Sequence, residues 1–147
     1  MRDLPRQLSA EELAELFEES PVVERLARLE DPLGRAREVI AALPEEQQVA
    51  LLNAHPRIGA TQALSTASAQ EQGTDGDAAV LEELAELNAA YEAKFGFRFV
   101  VFVNGRPRSA IVPVLRKRLQ RSREQERATG LDELVAIACD RWRRQAL

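Results

Sequence analysis

The residue best suited to proton chemistry in this 147-residue chain is its one histidine. His55 lies in the sequence Ala-His-Pro-Arg-Ile-Gly, directly before Pro56. Because a residue that precedes proline is pushed out of helical geometry, we predict that a helix ends here and that the imidazole projects from a restrained backbone. Imidazole titrates near neutral pH and can give or take a proton, so His55 is a candidate acid–base group. The alternative is a surface or capping histidine with no catalytic role.

A serine and a glutamate form the second candidate pair. Ser68 and Glu71 are three residues apart in the sequence Ser-Ala-Gln-Glu-Gln, so on a helix they share a face. The same spacing is that of a capping box, and spacing alone favours the cap. The two interpretations are compatible, because a capped helix start also presents free amides to an anion.

An arginine near the C-terminal end is the third candidate. Arg141 lies in Cys-Asp-Arg-Trp-Arg-Arg, and a guanidinium can hold a carboxylate through two parallel hydrogen bonds. The alternative is a basic helix end that complements the helix dipole. The basic run between residues 116 and 127 suggests nucleic-acid binding, but Glu124 and Glu126 interrupt it and the net charge is −4. We therefore predict a solvated helical face there, and no nucleic-acid partner.

Composition limits the class of protein. Hydrophobic residues make up 45% and charged residues 30% of the chain, which is typical of a globular protein, and the length predicts one domain, residues 1–147. The single Cys139 excludes an intrachain disulfide framework and a cysteine-rich zinc site, and no ligand spacing suggests any other metal. Without a signal segment or an apolar run of membrane-spanning length, we expect a soluble, cytoplasmic protein.

Helical patterns cover most of the chain and predict an all-α helical bundle. Ser9 and Glu12 have the spacing of a capping box, and proline-led starts follow at Ser20-Pro21, Asp31-Pro32 and Pro44. The most regular helix is predicted from Ala78 to Phe95, with Gly96 as its C-terminal cap and one face formed by Leu81, Leu84, Asn88, Tyr91 and Phe95. Further helices are predicted over 111–119 and 124–145, and a loop with a short helix over 57–77.

One segment departs from this helical pattern. Residues 97–103, Phe-Arg-Phe-Val-Val-Phe-Val, are rich in strand-forming residues and are followed by the turn-forming pair Asn104-Gly105. No partner strand follows, and a lone strand cannot satisfy its own backbone groups. We therefore predict an extended segment that crosses a helical core and whose unpaired amides and carbonyls are available to a ligand.

Taken together, the motifs resemble a known family. The blocks are His55-Pro56-Arg57-Ile58-Gly59, Ser68-x-x-Glu71-Gln72, Leu87-Asn88-x-x-Tyr91-x-x-Lys94-Phe95-Gly96-Phe97-x-Phe99 and Ile137-x-x-x-Arg141. In this order they resemble the 2-oxo-4-hydroxy-4-carboxy-5-ureidoimidazoline (OHCU) decarboxylases, from Ser20-Pro21 to the last helix.

The resemblance implies an all-helical, usually dimeric enzyme without metal or organic cofactor. It implies decarboxylation of OHCU to (S)-allantoin, the last step of urate oxidation, in functional association with urate oxidase and hydroxyisourate hydrolase. It places the catalytic histidine on His55 and the catalytic glutamate on Glu71. The substrate-binding residues it implies are Pro56, Ser68, Gln72, Phe99, Val100, Val101, Phe102, Val103 and Arg141.

Two other classes of function stay open at the level of sequence. In a non-catalytic helical interaction module, His55, Glu71 and Arg141 would be scattered over the surface rather than gathered in one pocket. A lyase or hydrolase acting on another ureido compound of purine breakdown would use the same pocket, so that only a test of substrates separates it from the first interpretation.

Overall fold

The computed structural model describes residues 3–58 and 78–145, and within these ranges it contains seven helices and no strand. The prediction of an all-α chain is therefore confirmed. The helices, numbered in chain order, are α1 (Ala10–Phe17), α2 (Val22–Ala27), α3 (Pro32–Ala41), α4 (Glu45–Ala54), α5 (Ala78–Phe95), α6 (Arg108–Arg118) and α7 (Arg123–Arg144).

The helix starts show which sequence signals were correct. The Ser9 hydroxyl accepts the amide of Glu12, and the Glu12 carboxylate accepts the amide of Ser9, so the predicted capping box is present. The predicted start with proline as the first helical residue, at Ser20-Pro21, is one residue too early. Helix α2 starts at Val22 after Pro21, and the buried Ser20 hydroxyl has no hydrogen-bond partner. The sequence Ser-x-x-Gln before α7 forms a second capping box, at Ser122, which was not predicted.

Helix α7 is the central element of the bundle. It packs against α1, α3 and α4, while α1, α2 and α3 pack in succession and α5 packs against α6. Its buried side chains include Leu134, Ile137 and Ala138. The predicted face of α5 is confirmed for Leu84, Asn88, Tyr91 and Phe95, which are buried, whereas Leu81 is only partly buried.

Between α5 and α6 the chain crosses the core without regular secondary structure. Gly96 ends α5 with φ +82°, as a C-terminal cap requires, and Asn104 and Gly105 both have positive φ, as a type I′ turn requires. The segment from Phe97 to Val103 is neither helix nor strand, and most of its side chains are buried. Its predicted course through a helical core is confirmed. In the two described ranges, none of the helices combines the length and the apolar character that crossing a bilayer requires.

Candidate active site

Helix α4 ends at Ala54, and His55 is the first residue of the turn that follows. The backbone of His55 is extended, with φ −80° and ψ 134°, as expected for a residue that precedes proline. His55 and Pro56 are both partly buried. The helix that precedes His55 is anchored in the core by Leu51 and Leu52, which are fully buried. The position from which the imidazole projects is therefore fixed.

Four contacts hold this turn in place. The Arg98 guanidinium donates to the carbonyl of His55 (3.1 Å), and the Arg98 amide donates to Oδ1 of Asn53 (2.9 Å). The Asn88 amide donates to the carbonyl of Ile58 (3.1 Å). Arg57 and Glu92 form the fourth contact.

The Arg57–Glu92 ion pair is bidentate. Nε of Arg57 lies 2.6 Å from Oε2 of Glu92, and Nη2 lies 2.9 Å from Oε1. The hydrogen bond from Arg57, assisted by its charge, lowers the pKa of Glu92. The turn that carries His55 is therefore fastened both to α5 and to the start of the irregular segment.

Arg141 reaches the same region from α7. Its side chain is only 1% exposed, and Nη1 donates to the carbonyl of Leu16 (2.9 Å) and lies 3.3 Å from Oε1 of Glu18. Arg141 lies in the last turn of α7, as the helix-end interpretation requires, but it is buried. Arg144 forms the exposed part of that basic end and pairs with Asp140 four residues earlier.

The surroundings keep His55 neutral. Burial, followed by the positive charges of Arg141 and Arg98, lowers the pKa of His55 from its ordinary value near 6.5 to about 3. A positive charge lowers the pKa of a neighbouring imidazole because it disfavours a second positive charge. At neutral pH the site therefore combines a neutral imidazole, able to accept a proton, with two cationic side chains able to attract an anion.

Some backbone amides and carbonyls of the irregular segment, residues 97–103, form hydrogen bonds with side chains, and others form none within the described residues. The amide of Phe102 donates to Glu133 (3.3 Å), and Arg106 donates to the carbonyls of Phe102 (2.6 Å) and Val103 (2.9 Å). For these groups the prediction of free backbone is wrong, because side chains from neighbouring elements satisfy them. The amides of Val100 and Val101 and the carbonyl of Val101 form no hydrogen bond within residues 3–58 and 78–145.

A buried polar network supports the other side of this segment. Glu126 is fully buried and accepts hydrogen bonds from Tyr91 (2.7 Å), Arg118 (2.7 Å) and Arg121 (2.9 Å). Arg118 in turn donates to the carbonyl of Val100 (2.6 Å), and its guanidinium carbon lies 4.5 Å from the centre of the Phe99 ring. Burial and the hydrogen bond to Glu126 raise the pKa of Tyr91, which stays protonated.

Sequence reasoning missed this network and the contacts of Arg98. One signal was available for Arg98, which is the only charged residue in the strand-forming run 97–103. Another was Asn88, a polar residue on the apolar face of α5 whose amide proved to hold the His55 turn. The link between Arg118 and Glu126 could not be read from spacing, because the two residues belong to different helices.

Three of the sequence-derived candidates, Ser68, Glu71 and Gln72, lie outside the described residues, as does most of the predicted loop over 57–77. Of the remaining candidates, His55 and Arg141 come together, with Pro56 beside His55. Within the described ranges no group of three His, Cys, Asp or Glu side chains is arranged to hold a metal ion.

The basic run between α6 and α7 is paired with acidic residues rather than presented to a polyanion. Arg118 and Arg121 bind Glu126, and Arg123 and Arg127 bind Glu45. Arg116 contacts Glu83 of α5. The predicted solvated face is thus wrong for Arg118, which is buried, but the argument against nucleic-acid binding becomes stronger.

The sequence of this chain matches a known protein family. The sequence model of the OHCU decarboxylases matches residues 2–143. The 2-oxo-4-hydroxy-4-carboxy-5-ureidoimidazoline decarboxylase of Haloferax volcanii is 32% identical over 139 residues, which are 84% of this chain and 80% of that protein. The uric acid degradation bifunctional protein PucL of Bacillus subtilis is 30% identical over 94% of this chain and 30% of its own length.

Solved structures agree in fold. The crystal structure of an OHCU decarboxylase in the presence of (S)-allantoin superposes with a TM-score of 0.71 at 23% identity, covering 86% of this chain and 91% of the other. A structure of (S)-allantoin synthase gives a TM-score of 0.66 at 26% identity, over 90% of this chain and 47% of the other. Since the family model spans nearly the whole sequence, this chain belongs to the OHCU decarboxylase family.

Proposed function

We propose that this chain decarboxylates OHCU to (S)-allantoin and carbon dioxide, the last step in the oxidation of urate to allantoin. The observation that carries the proposal is a neutral His55 held beside Arg141 and Arg98 in a chain of this family. The Haloferax volcanii relative bears the name of this activity, and the Bacillus subtilis relative is named for uric acid degradation.

The substrate supplies its own electron sink. In OHCU the ring carbon that carries the carboxylate is next to a C=N bond. When the bond to the carboxylate breaks, its electron pair moves into the ring towards that C=N, and carbon dioxide leaves. The former C=N nitrogen and its carbon, which carries the ureido group, each take up a proton, and the hydroxyl group loses its proton to become a ring carbonyl. The face on which that carbon is protonated sets the (S) configuration. The protein therefore has to orient the substrate and manage protons.

Arg141 anchors the substrate's carboxylate in this proposal. A guanidinium can donate two parallel hydrogen bonds to a carboxylate, and the strength of such charge-assisted bonds rises when water is excluded, as it is around this side chain, which is 1% exposed. Arg98 contributes a second positive charge near His55. The two together favour binding of an anion.

His55 acts first as a base. The lowered pKa leaves the imidazole unprotonated at neutral pH, but it also makes His55 a weak base before substrate binds. Binding of the anionic substrate offsets the charge of Arg141, which raises the pKa of His55 and allows the imidazole to accept the proton of the substrate's hydroxyl group.

The remaining candidates complete the proposed site. Glu71 orients His55 or the ureido group, and Ser68 and Gln72 bind the polar ring. The unoccupied backbone groups of Val100 and Val101 bind the amide edges of the substrate, while Phe99, Phe102 and Val103 line the segment that holds them. We also propose one domain, a homodimer, a cytoplasmic location, no metal or organic cofactor, and functional association with urate oxidase and hydroxyisourate hydrolase.

The alternative of a non-catalytic interaction module is less well supported. It requires His55 and Arg141 to be scattered surface residues, whereas Arg141 is buried and its charge acts on His55. A lyase acting on another ureido compound would share the site, and the assay below separates the two.

A coupled optical assay tests the function. OHCU is generated in place from urate with urate oxidase and hydroxyisourate hydrolase, and allantoin is followed by circular dichroism. We expect a rapid chiral signal above the spontaneous background with the wild type, and a loss of at least about 10²-fold in kcat for His55→Ala, the magnitude of an acid–base contribution. A folded wild type that gives only slow, racemic product would reject the proposal, and a folded His55→Ala with normal turnover would reject the role of His55.

A further inference from the structure

Helix α1 ends at a residue whose backbone conformation is unfavourable for its own side chain. Glu18 has φ +60° and ψ 179°, a combination that is adopted almost only by glycine. Within residues 3–58 and 78–145, the other non-glycine residues with positive φ, Asp31 and Asn104, are an aspartate and an asparagine, the types that tolerate such angles best. Strain of this kind persists only where the surroundings hold it, and it occurs most often at functional sites.

The side chain of Glu18 explains why a glycine does not occupy this position. Its carboxylate lies 3.3 Å from Nη1 of Arg141, whose side chain is 1% exposed. A buried guanidinium without a negative partner is strongly destabilising, so Glu18 offsets part of the cost of burying Arg141. Glycine would remove the backbone strain but would also remove this partner.

The contact also restricts the direction of the guanidinium. The carbonyl of Leu16, in the last turn of α1, accepts a hydrogen bond from the same nitrogen at 2.9 Å. Two oxygens from one helix end therefore meet Nη1 of Arg141. Because the guanidinium is planar and its donors form a rigid fork, holding one nitrogen with two oxygens restricts where the others point.

We propose that Glu18 is a positioning residue for this enzyme: from the strained end of α1 its carboxylate sets the orientation in which Arg141 binds the substrate's carboxylate. The inference rests on the function proposed above, and on Arg141 as its anion-binding group. Glu18 itself does not touch the reacting atoms. It acts through Arg141.

A glycine and an alanine at this position separate strain from function. Glu18→Gly and Glu18→Ala both remove the carboxylate, but only glycine relieves the backbone. We expect the Tm of Glu18→Gly to exceed that of Glu18→Ala by about 3 °C. Both variants should nevertheless lose about 10-fold or more in kcat/KM, with a raised KM, because a misdirected anion-binding group binds the substrate poorly. Glu18→Gln retains an acceptor oxygen at the same place and should recover part of that loss.

Two comparisons make the result specific. Glu19→Gln removes the same charge one residue further along, at an exposed position, and should retain wild-type kcat/KM. In an Arg141→Gln background, Glu18→Gly should cause no further loss, because the two residues act as one unit.

Wild-type kcat/KM in a folded Glu18→Gly variant would overturn the inference while leaving the proposed function intact, provided that the wild type is active and Arg141→Gln is impaired. If Glu18→Gly lowered kcat/KM by the same factor in the wild type and in the Arg141→Gln variant, that result would also overturn the inference. A wild type without stereospecific activity would overturn both proposals.

Discussion

At the scale of single residues, the charge state of His55 links the site to stability. Its pKa is about 3 in the folded chain and near 6.5 in the unfolded chain. Between these pH values the unfolded state binds a proton at His55 and the folded state does not. The contribution of His55 to the free energy of unfolding is therefore fully present above pH 6.5 and is lost as the pH decreases towards 3.

We therefore expect wild-type stability to fall by about 2 kcal/mol more than that of His55→Gln between pH 7 and pH 5. Urea unfolding at a series of pH values measures this difference. Because His55 is the only histidine, its imidazole proton resonance reports the same pKa by NMR without an assignment problem. Parallel pH profiles for the two proteins, or a titration near pH 6.5, would show that the folded chain leaves this histidine unperturbed.

At the scale of elements, the link between α5, α6 and α7 depends on one buried carboxylate. Glu126 accepts hydrogen bonds from Tyr91, Arg118 and Arg121. Arg118 also donates a hydrogen bond to the carbonyl of Val100. Removing one partner of a buried ion pair leaves the other charge uncompensated, which costs far more than the pair contributes when intact.

We expect Glu126→Gln to lower the free energy of unfolding by about 3–5 kcal/mol, and Tyr91→Phe, which removes a single hydrogen bond to a charged group, by about 2 kcal/mol. Chemical denaturation measures both. Glu124→Gln, an exposed carboxylate two residues earlier, is the matched control and should change stability by less than about 0.5 kcal/mol. Equal, small effects for Glu124 and Glu126 would mean that the network does not hold these helices together.

The end of α5 offers a second test at this scale. Gly96 has φ +82°, and a Cβ built there would meet no heavy atom within 4 Å, so the cost of a side chain is conformational and not steric. Gly96→Ala should therefore lose about 1 kcal/mol, and Gly96→Asn less, because asparagine tolerates positive φ. Thermal unfolding gives the order. An alanine variant as stable as the wild type would contradict the role of Gly96 in turning the chain into the irregular segment.

At the scale of the whole molecule, many basic side chains are paired with acidic ones and do not form an unpaired basic patch. The arginines of the basic run 116–127 named above pair with Glu45, Glu83 and Glu126, in a chain with a net charge of −4. We expect no binding to a labelled DNA or RNA duplex at 150 mM salt by fluorescence anisotropy, since affinity for the phosphate backbone depends on unpaired cations. Tight binding that weakens steeply with salt would contradict this distribution.

The sequence by itself determined the helical class, most helix bounds and the motifs of the family. These depend on local signals: the 3.6-residue repeat of apolar side chains along α5, the capping box at Ser9, and the break that Pro56 imposes after α4. The irregular course of residues 97–103 could also be predicted, because a strand-forming run without a partner strand has no regular alternative.

Only the tertiary structure decided how the candidate residues act on one another. The lowered pKa of His55 depends on burial and on the charge of Arg141, which is 86 positions further along the chain, and the side chain of Glu18 contacts that same arginine. The carbonyl of Val100 accepts its hydrogen bond from Arg118, which belongs to helix α6. Burial and electrostatic coupling between distant segments arise when the helices pack, so no local pattern of residues encodes them.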